Sequence, residues 1–564
     1  MAEGPTESGQ EGNGVVVPIT SQPAFPLDRV IRQEAPDAEA VPMDVIFVGG
    51  GPAGLAGAIE LARLVAQDAE EGGSLGEVEI GVLEKAGALG EHTLSGAVVD
   101  PGPLRELFPD VPEEELPLRK AVQSEAVYLL RESSAYRIPT PPTMRNHGNR
   151  VASICELVRW MGERAEELGV NVFPGFPVDS LLVEGDRVRG VRTVPAGLDR
   201  EGNPGSGYTP AMDLTAQVTV LAEGNRGHLT QGWERWQGIG RTNPQIHALG
   251  VKELWEVERP LERLIHTLGW PLPPDAFGGS WIYPMDEGLV SLGLVVGLDY
   301  PDARLDVHHL LQQFKAHPFV REILAGGEMV EWGAKTIPEG GYHSLADRRH
   351  GAGLLVVGDA AGFVDVPSLK GIHYAIHSGV LAARAIFEAL QAGDTSEAGL
   401  QGYTEAVDRS FIVRDLHRTR NMRLAFKAGF VRGGVRAGLM SLTGGRFPGD
   451  TIRIEEDAAE ARHLRNPPPS FNPDGELTFS KTEAVFKAGN TTRDDIPSHL
   501  LVGGEISPEV AEFYTHLCPA GVYEWDGDRL VVNPPNCIDC KATDVLGPRW
   551  TPREGGSGPA YRRM

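Results

Sequence analysis

The segment Met43-Asp44-Val45-Ile46-Phe47-Val48-Gly49-Gly50-Gly51-Pro52-Ala53-Gly54 decides the fold of this chain. Its apolar, β-branched first half predicts a buried parallel strand. Gly49, Gly51 and Gly54 then fit the G-x-G-x-x-G pattern, in which glycines allow a tight turn and a close approach of the backbone to a pyrophosphate. Helical apolar spacing continues to about Ala66, and a helix N-terminus favours a bound phosphate. The segment therefore predicts a dinucleotide-binding unit.

An acidic residue at the end of the next strand supports this prediction. Val78 to Leu83 reads as a strand, and Glu84 follows it, where a carboxylate accepts hydrogen bonds from an adenosine ribose. A polar insert at 67–77 makes the spacing from Gly54 longer than usual. A purely structural glycine turn would explain the glycines but not the strand, helix and acidic residue around them.

Two later segments favour FAD over NAD as the nucleotide. Val218 to Gly224 places an apolar strand before an acidic-glycine turn, and Leu354 to Gly362 places a second strand before Gly358-Asp359. An aspartate at that position can bond a ribityl hydroxyl, and the N–H groups that follow can meet the phosphates. The simpler interpretation of Gly358 and Asp359 is a helix N-cap, which the order of the segments makes the weaker one.

The composition limits the class of protein. A chain of 564 residues with 41% hydrophobic residues predicts two or three soluble-type domains, and no apolar run is long enough for a membrane-spanning helix. No signal peptide is visible, and four cysteines do not make a disulfide scaffold, so a reducing, cytoplasmic setting is expected. The net charge of −26 argues against nucleic acid as a partner.

Cys518, Cys537 and Cys540 form a second redox candidate near the end of the chain. Thiolates in this arrangement, a close pair plus one distant residue, are typical of an iron–sulfur cluster. Zinc usually takes four nitrogen or sulfur ligands, and no histidine lies between Cys518 and the last residue. A redox dithiol would normally open a helix, whereas this pair lies in a Pro/Asn-rich loop. A cluster is favoured, with zinc and a structural role as the alternatives.

The segments together predict an α/β architecture with five parts. We expect a flexible leader, an FAD-binding Rossmann-like domain in two pieces, an inserted antiparallel-sheet domain, a basic and apolar segment, and a C-terminal cysteine-bearing domain. The predicted ranges are 1–42 for the leader, 43–240 and 345–415 for the FAD domain, 241–344 for the inserted domain, 416–465 for the basic segment and 466–564 for the last domain. A proline-rich stretch at 466–475 marks the last boundary.

Taken together, these motifs resemble the electron-transfer flavoprotein:ubiquinone oxidoreductase family over about residues 43–564. The matching segments are Gly49–Leu55, Glu84–Lys85, His92–Ala97, Asn146–Asn149, Ala222–Gly224, Lys252–Trp255, Gly278–Ser280, Val295–Tyr300, Glu339–Gly341, Lys370–Gly371, Cys518–Glu524 and Asn536–Cys537. The string Cys-Pro-Ala-Gly-Val-Tyr-Glu is highly specific.

The resemblance implies a fold and an activity. The fold would contain an FAD domain, a quinone-binding domain with Gly278 and Gly279 in its pocket, and a ferredoxin-like domain holding a 4Fe–4S cluster. The activity would pass electrons from electron-transfer flavoprotein through FAD and the cluster to ubiquinone or menaquinone in the membrane. The cluster ligands would be Cys518, Cys537, Cys540 and the residue at 543, which here is Thr543.

Threonine is a poor iron ligand, so Thr543 is a departure from the family. A three-iron cluster on three cysteines is one expectation. A four-iron cluster completed by Asp544, Asp539 or water is another, and a vestigial site is a third. Cys155 lies in the predicted helix Cys155–Leu168 of the FAD region and is expected to be a small core residue instead.

A basic stretch supports a membrane-surface interpretation. Leu416 to Gly449 contains no acidic residue. Its basic residues, Arg418, Arg420, Arg423, Lys427, Arg432, Arg436 and Arg446, alternate with apolar ones. Such a segment can lie on anionic lipid, although a solvated basic helix is the alternative and four glycines weaken the helix. We expect a monotopic protein on the cytoplasmic face of the inner membrane.

Two other functions remain open from the sequence. A lipid-acting FAD reductase or hydroxylase of the geranylgeranyl-reductase type would share the flavin signature but leave the cysteines unexplained. A non-enzymatic docking flavoprotein would explain Thr543.

Overall fold

A computed structural model describes residues 14–286, 288–465 and 471–564. The predicted dinucleotide-binding unit is a six-stranded sheet, parallel except for its last strand. In spatial order its strands are Asn171–Pro174, Ile80–Glu84, Val45–Val48, Val218–Leu221, Leu354–Val356 and His350–Gly351. The strands predicted from 43, 78, 217 and 354 therefore all lie in one sheet, as the doubly wound fold requires.

Helices cover this sheet. Pro52–Glu70 begins directly after the glycine turn, and its apolar face packs along Ile372–Ala392. Ile154–Glu167 is the amphipathic helix predicted from residue 155, and the Ser153 hydroxyl caps it by accepting a hydrogen bond from the Glu156 N–H. The other helices of this half are Leu27–Val30, Gly102–Leu107, His228–Trp236, Glu397–Arg409 and Phe411–Thr419.

The prediction of a flexible leader is wrong for residues 14–42, and residues 1–13 lie outside the described residues. Ile31–Arg32 and Val41–Pro42 are the edge strands of a five-stranded sheet with Val178–Glu184, Arg187–Thr193 and Asp213–Thr215. Val15–Val16 pairs with Arg462–His463 near the other end of the chain. Short apolar pairs such as Val30 and Ile31 lack periodicity, yet both are buried.

The inserted domain is a seven-stranded, mainly antiparallel sheet. Its strands, in spatial order, are Glu328–Pro338, His247–Glu256, Leu289–Gly297, Gly278–Asp286, Leu264–Gly269, Glu125–Arg131 and Ser134–Ile138. The last two lie far outside the predicted range 241–344, because the strand Leu264–Gly269 pairs in parallel with a segment from the first half. Helices Val307–Ala316 and Pro318–Leu324 follow the sheet's third strand.

The C-terminal part contains short elements around the cysteines. It comprises helices Lys481–Lys487, Pro508–Leu517 and Ala542–Leu546, and the strand pairs Leu500–Leu501 with Arg549–Trp550 and Tyr523–Trp525 with Leu530–Val532. Its apolar side chains are continuous with those of the seven-stranded sheet, so the two parts share one core. Of the predicted proline-rich boundary, residues 466–470 lie outside the described residues.

Candidate functional site: one cavity beside a thiolate cluster

A cavity of about 890 Å³ is lined by residues of both large sheets. Its first wall is the carboxyl edge of the six-stranded sheet, which is where ligands bind in such folds. Its second wall is one face of the seven-stranded sheet, and its third is the helix Phe430–Thr443, which we call the surface helix. The cavity is mostly apolar, as expected for a site that holds large organic ligands.

The three signature glycines have different structural roles. A Cβ on Gly49 would lie 2.3 Å from the Ala222 carbonyl oxygen, and a Cβ on Gly54 would lie 2.1 Å from the Gly49 carbonyl oxygen. These two glycines allow close packing of the turn. At Gly51 a Cβ would meet nothing within 4 Å, and the residue lines the cavity. The backbone at Gly51 is therefore open to a pyrophosphate, so this turn fits FAD.

Glu84 lies beside this turn and lines the cavity. Its Oε2 accepts a 2.9 Å hydrogen bond from the Gly50 N–H, and its Oε1 accepts one of 2.8 Å from the Ala86 N–H. These backbone bonds fix the carboxylate at the strand end, where the sequence places the ribose.

Gly358 and Asp359 also line the cavity, and Gly358 lies next to the start of the helix Pro52–Glu70. Gly358 has φ +62°, and a Cβ there would lie 2.9 Å from the Ala53 side chain, so glycine is required by both backbone and packing. Burial raises the pKa of Asp359 to about 6, although Lys335 opposes that shift. Such a buried carboxyl is suited to bond a hydroxyl of a bound ligand.

Gly278 and Gly279 line the cavity from the seven-stranded sheet. A Cβ on Gly278 would lie 2.1 Å from the Val295 carbonyl oxygen of the neighbouring strand, and one on Gly279 would lie 3.0 Å from the Thr267 carbonyl oxygen. Both positions therefore expose backbone to the cavity where a larger side chain does not fit.

The sequence analysis missed a pair of titratable residues near these glycines. His266 is opposite Trp281 in the sheet register, so the pleat places His266, Trp281, Gly279 and Tyr283 on one face, and all four line the cavity. The Tyr283 hydroxyl is 3.1 Å from His266 Nδ1. Burial, with a smaller contribution from Lys370, lowers the pKa of His266 to about 4. Only the strand register reveals this pair.

The surface helix lies at the exposed edge of the cavity. Phe430, Gly434, Ala437, Gly438, Ser441 and Leu442 line the cavity, and Phe430, Gly434, Gly438 and Leu442 are also exposed. The neighbouring apolar residues Val431 and Val435 are 76% and 62% exposed. Among the described residues, no helix is long and apolar enough to cross a bilayer.

Not every basic residue of this segment faces outward. Arg423 is buried, with its Nε 2.6 Å from Glu339 Oε2 and its Nη2 2.9 Å from Asp299 Oδ1. Lys427 pairs with Asp299 and Glu460. These two residues fasten the segment to the seven-stranded sheet, whereas Arg432 and Arg436 on the surface helix are exposed.

The three clustered cysteines belong to one apolar core cluster, in which Cys518 and Cys540 are buried and Cys537 is half-buried. Burial raises the pKa of all three thiols.

The loop backbone also fits an anionic cluster. Asp539 and Lys541 flank Cys540 with φ of +55° and +69°. Left-handed residues in a loop turn successive N–H groups inward, which forms the kind of concavity that binds iron–sulfur clusters. The residues present therefore fit a cluster held by thiolates, with N–H groups directed at the sulfurs.

The two carboxylates near the cysteines, Asp544 and Asp539, already have hydrogen-bond and ion-pair partners. Asp544 accepts hydrogen bonds from Arg226 Nε at 3.0 Å, Gln231 Nε2 at 3.2 Å and the Trp550 N–H at 3.1 Å. Asp539 pairs with Lys85 and accepts from Trp550 Nε1 at 2.9 Å and Arg553 Nη2 at 3.1 Å.

Cys155 lies apart from this site. It is buried in the helix Ile154–Glu167, and its Sγ is 3.3 Å from the Thr93 carbonyl oxygen, which it bonds. The expected core role of Cys155 agrees with this position.

Comparisons with known proteins settle the family. A protein from Oryza sativa subsp. japonica named "Electron transfer flavoprotein-ubiquinone oxidoreductase, mitochondrial" is 37% identical over 554 residues, covering 93% of this chain and 94% of the relative. This chain belongs to the electron-transfer flavoprotein-ubiquinone oxidoreductase family. A Pseudomonas aeruginosa relative with the family name is 36% identical, covering 94% of this chain and all of its own length.

Two family descriptions match parts of the chain. "ETF-QO, ubiquinone-binding" matches residues 247–337, and "Electron transfer flavoprotein-ubiquinone oxidoreductase, 4Fe-4S" matches residues 475–562. The predictions of an oxidoreductase with FAD and an iron–sulfur cluster are thereby confirmed.

Solved structures confirm the FAD-binding fold. A geranylgeranyl bacteriochlorophyll reductase-like protein from Thermoplasma acidophilum has a TM-score of 0.55 at 20% identity, covering 72% of this chain and 92% of its own. The flavin-dependent brominase Bmp2 has a TM-score of 0.50 at 17% identity, covering 72% of this chain and 94% of its own. At these identities the likeness shows the fold alone, so it gives the reductase alternative no support.

Proposed function

We propose that this chain accepts electrons from reduced electron-transfer flavoprotein and delivers them, through FAD and an iron–sulfur cluster, to a quinone dissolved in the membrane. The observation that carries the proposal is the cavity, which joins the flavin-type glycine turn, the sheet glycines and the surface helix. A flavin at its inner end and a lipid-soluble quinone entering at its outer end would share one apolar space.

The FAD would be held by residues from three segments. The Gly49, Gly51 and Gly54 turn would hold the pyrophosphate, Glu84 the ribose, and Gly358 with Asp359 the ribityl chain and phosphates. Bound FAD supplies the two-electron carrier of the reaction. The chain's own contribution is to orient it with its reactive ring toward the seven-stranded sheet and to exclude water.

Cys518, Cys537 and Cys540 would hold the cluster, which supplies a one-electron carrier. Two side chains link that site to the cavity, because Lys541 and Trp550 line the cavity wall and Lys541 Nζ lies 3.1 Å from the Trp550 ring centroid. The flavin and the cluster would therefore be separated by only a few side chains.

The quinone would lie against Gly278 and Gly279, whose backbone is accessible to a flat ring. Reduction to quinol takes two electrons and two protons. His266 and Tyr283 would deliver one proton: His266 Nε2 donates to the quinone oxygen, His266 Nδ1 takes the Tyr283 proton, and Tyr283 is reprotonated from water. The Tyr283–His266 hydrogen bond favours the His266 tautomer that carries its proton on Nε2.

The surface helix would lie in the headgroup region of the membrane, on the cytoplasmic face of the inner membrane. Its exposed Val431, Val435 and Leu442 would enter the lipid, while Arg432 and Arg436 would contact anionic headgroups. The same face would admit ubiquinone or menaquinone to the cavity.

Anaerobic turnover tests the proposal. Reduced electron-transfer flavoprotein is mixed with the purified protein and a soluble ubiquinone or menaquinone analogue, and quinone reduction is recorded. NADPH replaces the flavoprotein in a parallel reaction, because a reductase of the geranylgeranyl type draws on NADPH. Quinone reduction from the flavoprotein but not from NADPH is expected. Flavin reduction by NADPH alone, without flavoprotein-dependent turnover, would overturn the proposal.

Asp359 provides a matched test of the FAD site. Asp359→Ala should lower flavin content at purification, whereas Asp528→Ala, on an exposed turn of the C-terminal part, should not. Flavin absorbance per protein is the measurement. Equal flavin content in the two variants would show that Asp359 does not contribute to FAD binding.

A further inference from the structure

We infer that the iron–sulfur cluster of this chain is held by three thiolates only, and that the corner at Thr543 has no protein ligand. A three-iron cluster is the composition that needs no fourth ligand, so we infer three irons and treat a water-ligated fourth iron as the outcome that would overturn the inference. This inference rests on the proposed function for the presence of the cluster and goes beyond it in the cluster's composition and ligands. A four-iron cluster is ordinarily held by four cysteine thiolates. The chain has four cysteines. The fourth, Cys155, lies in the helix Ile154–Glu167 of the FAD region, and its thiol donates a hydrogen bond to the Thr93 carbonyl oxygen.

Thr543 cannot replace a thiolate. Its neutral hydroxyl is a hard and weakly basic donor, whereas iron–sulfur clusters take soft thiolates. It lies buried at the start of the short helix Ala542–Leu546, directly after the loop that carries Cys540. The side chain therefore fills the fourth position without offering iron a charged donor.

The carboxylate of Asp544, the next residue, belongs to a separate hydrogen-bond network. Both of its oxygens accept hydrogen bonds, from Arg226 and Gln231 on one side and from the Trp550 N–H on the other. Bringing this carboxylate to iron would break its bonds to the half-buried Arg226 guanidinium, to Gln231 and to the Trp550 N–H. Asp544, considered from the sequence as a substitute ligand, is thus held away from this role.

Asp539 is held in the same way. Lys85 pairs with its Oδ2, and Arg553 and the Trp550 indole bond its Oδ1, which also lies 3.7 Å from the Cys537 sulfur. Three donors on one buried carboxylate make it the counter-charge of Lys85 and Arg553.

His499 is the remaining buried group of ligand type near the site. Its ligand atom lies within 4.8 Å of those of Cys537 and Asp539. Both ring nitrogens of His499 are buried and have no hydrogen-bond partner among the described residues. We infer that His499 stays a neighbour of Cys537, which already supplies a thiolate, and labelling of its ring nitrogens tests this.

Electron paramagnetic resonance on anaerobically purified full-length protein tests the inference, with iron content measured on the same sample. A signal in the oxidised protein that disappears on reduction is expected, with about three iron atoms per chain. Incubation with excess ferrous iron and sulfide should not change it. An oxidised sample without a signal, with a signal only after reduction, would show a four-iron cluster and overturn the inference.

Two variants at position 543 locate the open corner. Thr543→Cys should convert the spectrum to one that appears only on reduction and raise the iron content to about four per chain. Thr543→Ala should keep the wild-type spectrum. A changed spectrum in Thr543→Ala would show that the Thr543 hydroxyl is a ligand. An unchanged spectrum in Thr543→Cys would show that the open corner of the cluster is not at position 543. Either result would contradict the inference.

Isotope labelling tests whether His499 is a ligand of the cluster. With ¹⁵N-histidine in the protein, a strong nitrogen coupling in pulsed spectra that is lost in His499→Leu would identify His499 as a ligand and overturn the inference. These readouts do not depend on turnover. A three-iron spectrum in a protein that fails to reduce quinone would leave the cluster inference standing and reject the proposed function.

Discussion

The Trp550 indole Nε1 donates a 2.9 Å hydrogen bond to Asp539 Oδ1. Trp550 lines the cavity, and Asp539 lies between Cys537 and Cys540 in the cluster loop. This bond therefore connects the wall of the cavity to the loop that carries the proposed cluster ligands. Arg553 and Lys85 bond Asp539 from other directions, so the connection between the two proposed redox sites is fixed.

Trp550→Phe should weaken this connection. The lost hydrogen bond ends on a buried carboxylate, so the free energy of unfolding should fall by about 1.5–3 kcal/mol. Arg529→Met is the control, since the Arg529–Asp526 pair is exposed and should change stability by under about 0.5 kcal/mol. Denaturant unfolding measures both, and equal stability of the two variants would contradict the role of Trp550.

Arg423→Met should destabilise the fold more strongly. It leaves Asp299 and Glu339 buried without their guanidinium, so a loss of about 3–5 kcal/mol is expected at pH 7. Arg432→Met, at an exposed position of the surface helix, should stay within about 0.5 kcal/mol. Similar losses in both variants would show that Arg423 is not the anchor of the segment.

The Arg423 effect should depend on pH. Burial raises the pKa of Asp299, but Arg423 and Lys427 outweigh burial and hold it below its ordinary value. A depressed pKa gives stability that is present above the unfolded-state pKa of about 3.9 and is lost as the pH falls below it. The difference between wild type and Arg423→Met should therefore be smaller near pH 3.5 than at pH 7. A difference that grows on acidification would refute this assignment.

Gly278→Ala should impair the quinone part of the cavity. Because the added Cβ would lie 2.1 Å from the Val295 carbonyl oxygen, the strand must shift, and we expect a higher KM for quinone and lower thermal stability. Gly434→Ala is the matched control: Gly434 also lines the cavity, but its Cβ meets nothing within 4 Å, and alanine favours the helix by about 1 kcal/mol. Steady-state kinetics and thermal melts distinguish the two glycines.

His266→Gln should slow proton delivery without blocking electron transfer. Loss of a positioned proton donor typically costs about 10²–10⁴-fold, so quinone reduction should fall by this order with little change in quinone KM. Reduction of a one-electron acceptor that takes up no proton should be unaffected. The solvent isotope effect on quinone reduction should also change in Tyr283→Phe. Equal losses with both acceptors would indicate a structural role for His266.

Leu442→Glu should weaken membrane association. Leu442 is 84% exposed on the surface helix, and the substitution places a charge where we expect lipid. Phe486→Glu is the control, because Phe486 is 83% exposed but lies on the helix Lys481–Lys487 of the C-terminal part. Flotation with vesicles of anionic and zwitterionic lipid measures binding. Loss of vesicle binding in Phe486→Glu alone would show that a different face of the protein contacts the membrane.

The sequence by itself indicated the flavin half and the candidate cluster ligands. The pattern of Gly49, Gly51 and Gly54 can be read directly because the strand, the turn and the helix are consecutive in the chain, although the contact that excludes a Cβ at Gly49 comes from Ala222. Cys518, Cys537 and Cys540 were identified because thiolate chemistry is carried by the residue type itself.

The tertiary structure decided what depends on partners distant in the chain. The leader became edge strands because Ile31 pairs with Leu181. His266 and Tyr283 lie together because two strands align in one register, and Arg423 is buried because it pairs with the buried Asp299 and Glu339. Asp544 bonds Arg226, which lies more than 300 residues earlier in the chain. Contacts of this kind are set by long-range packing and charge pairing, which local sequence patterns do not encode.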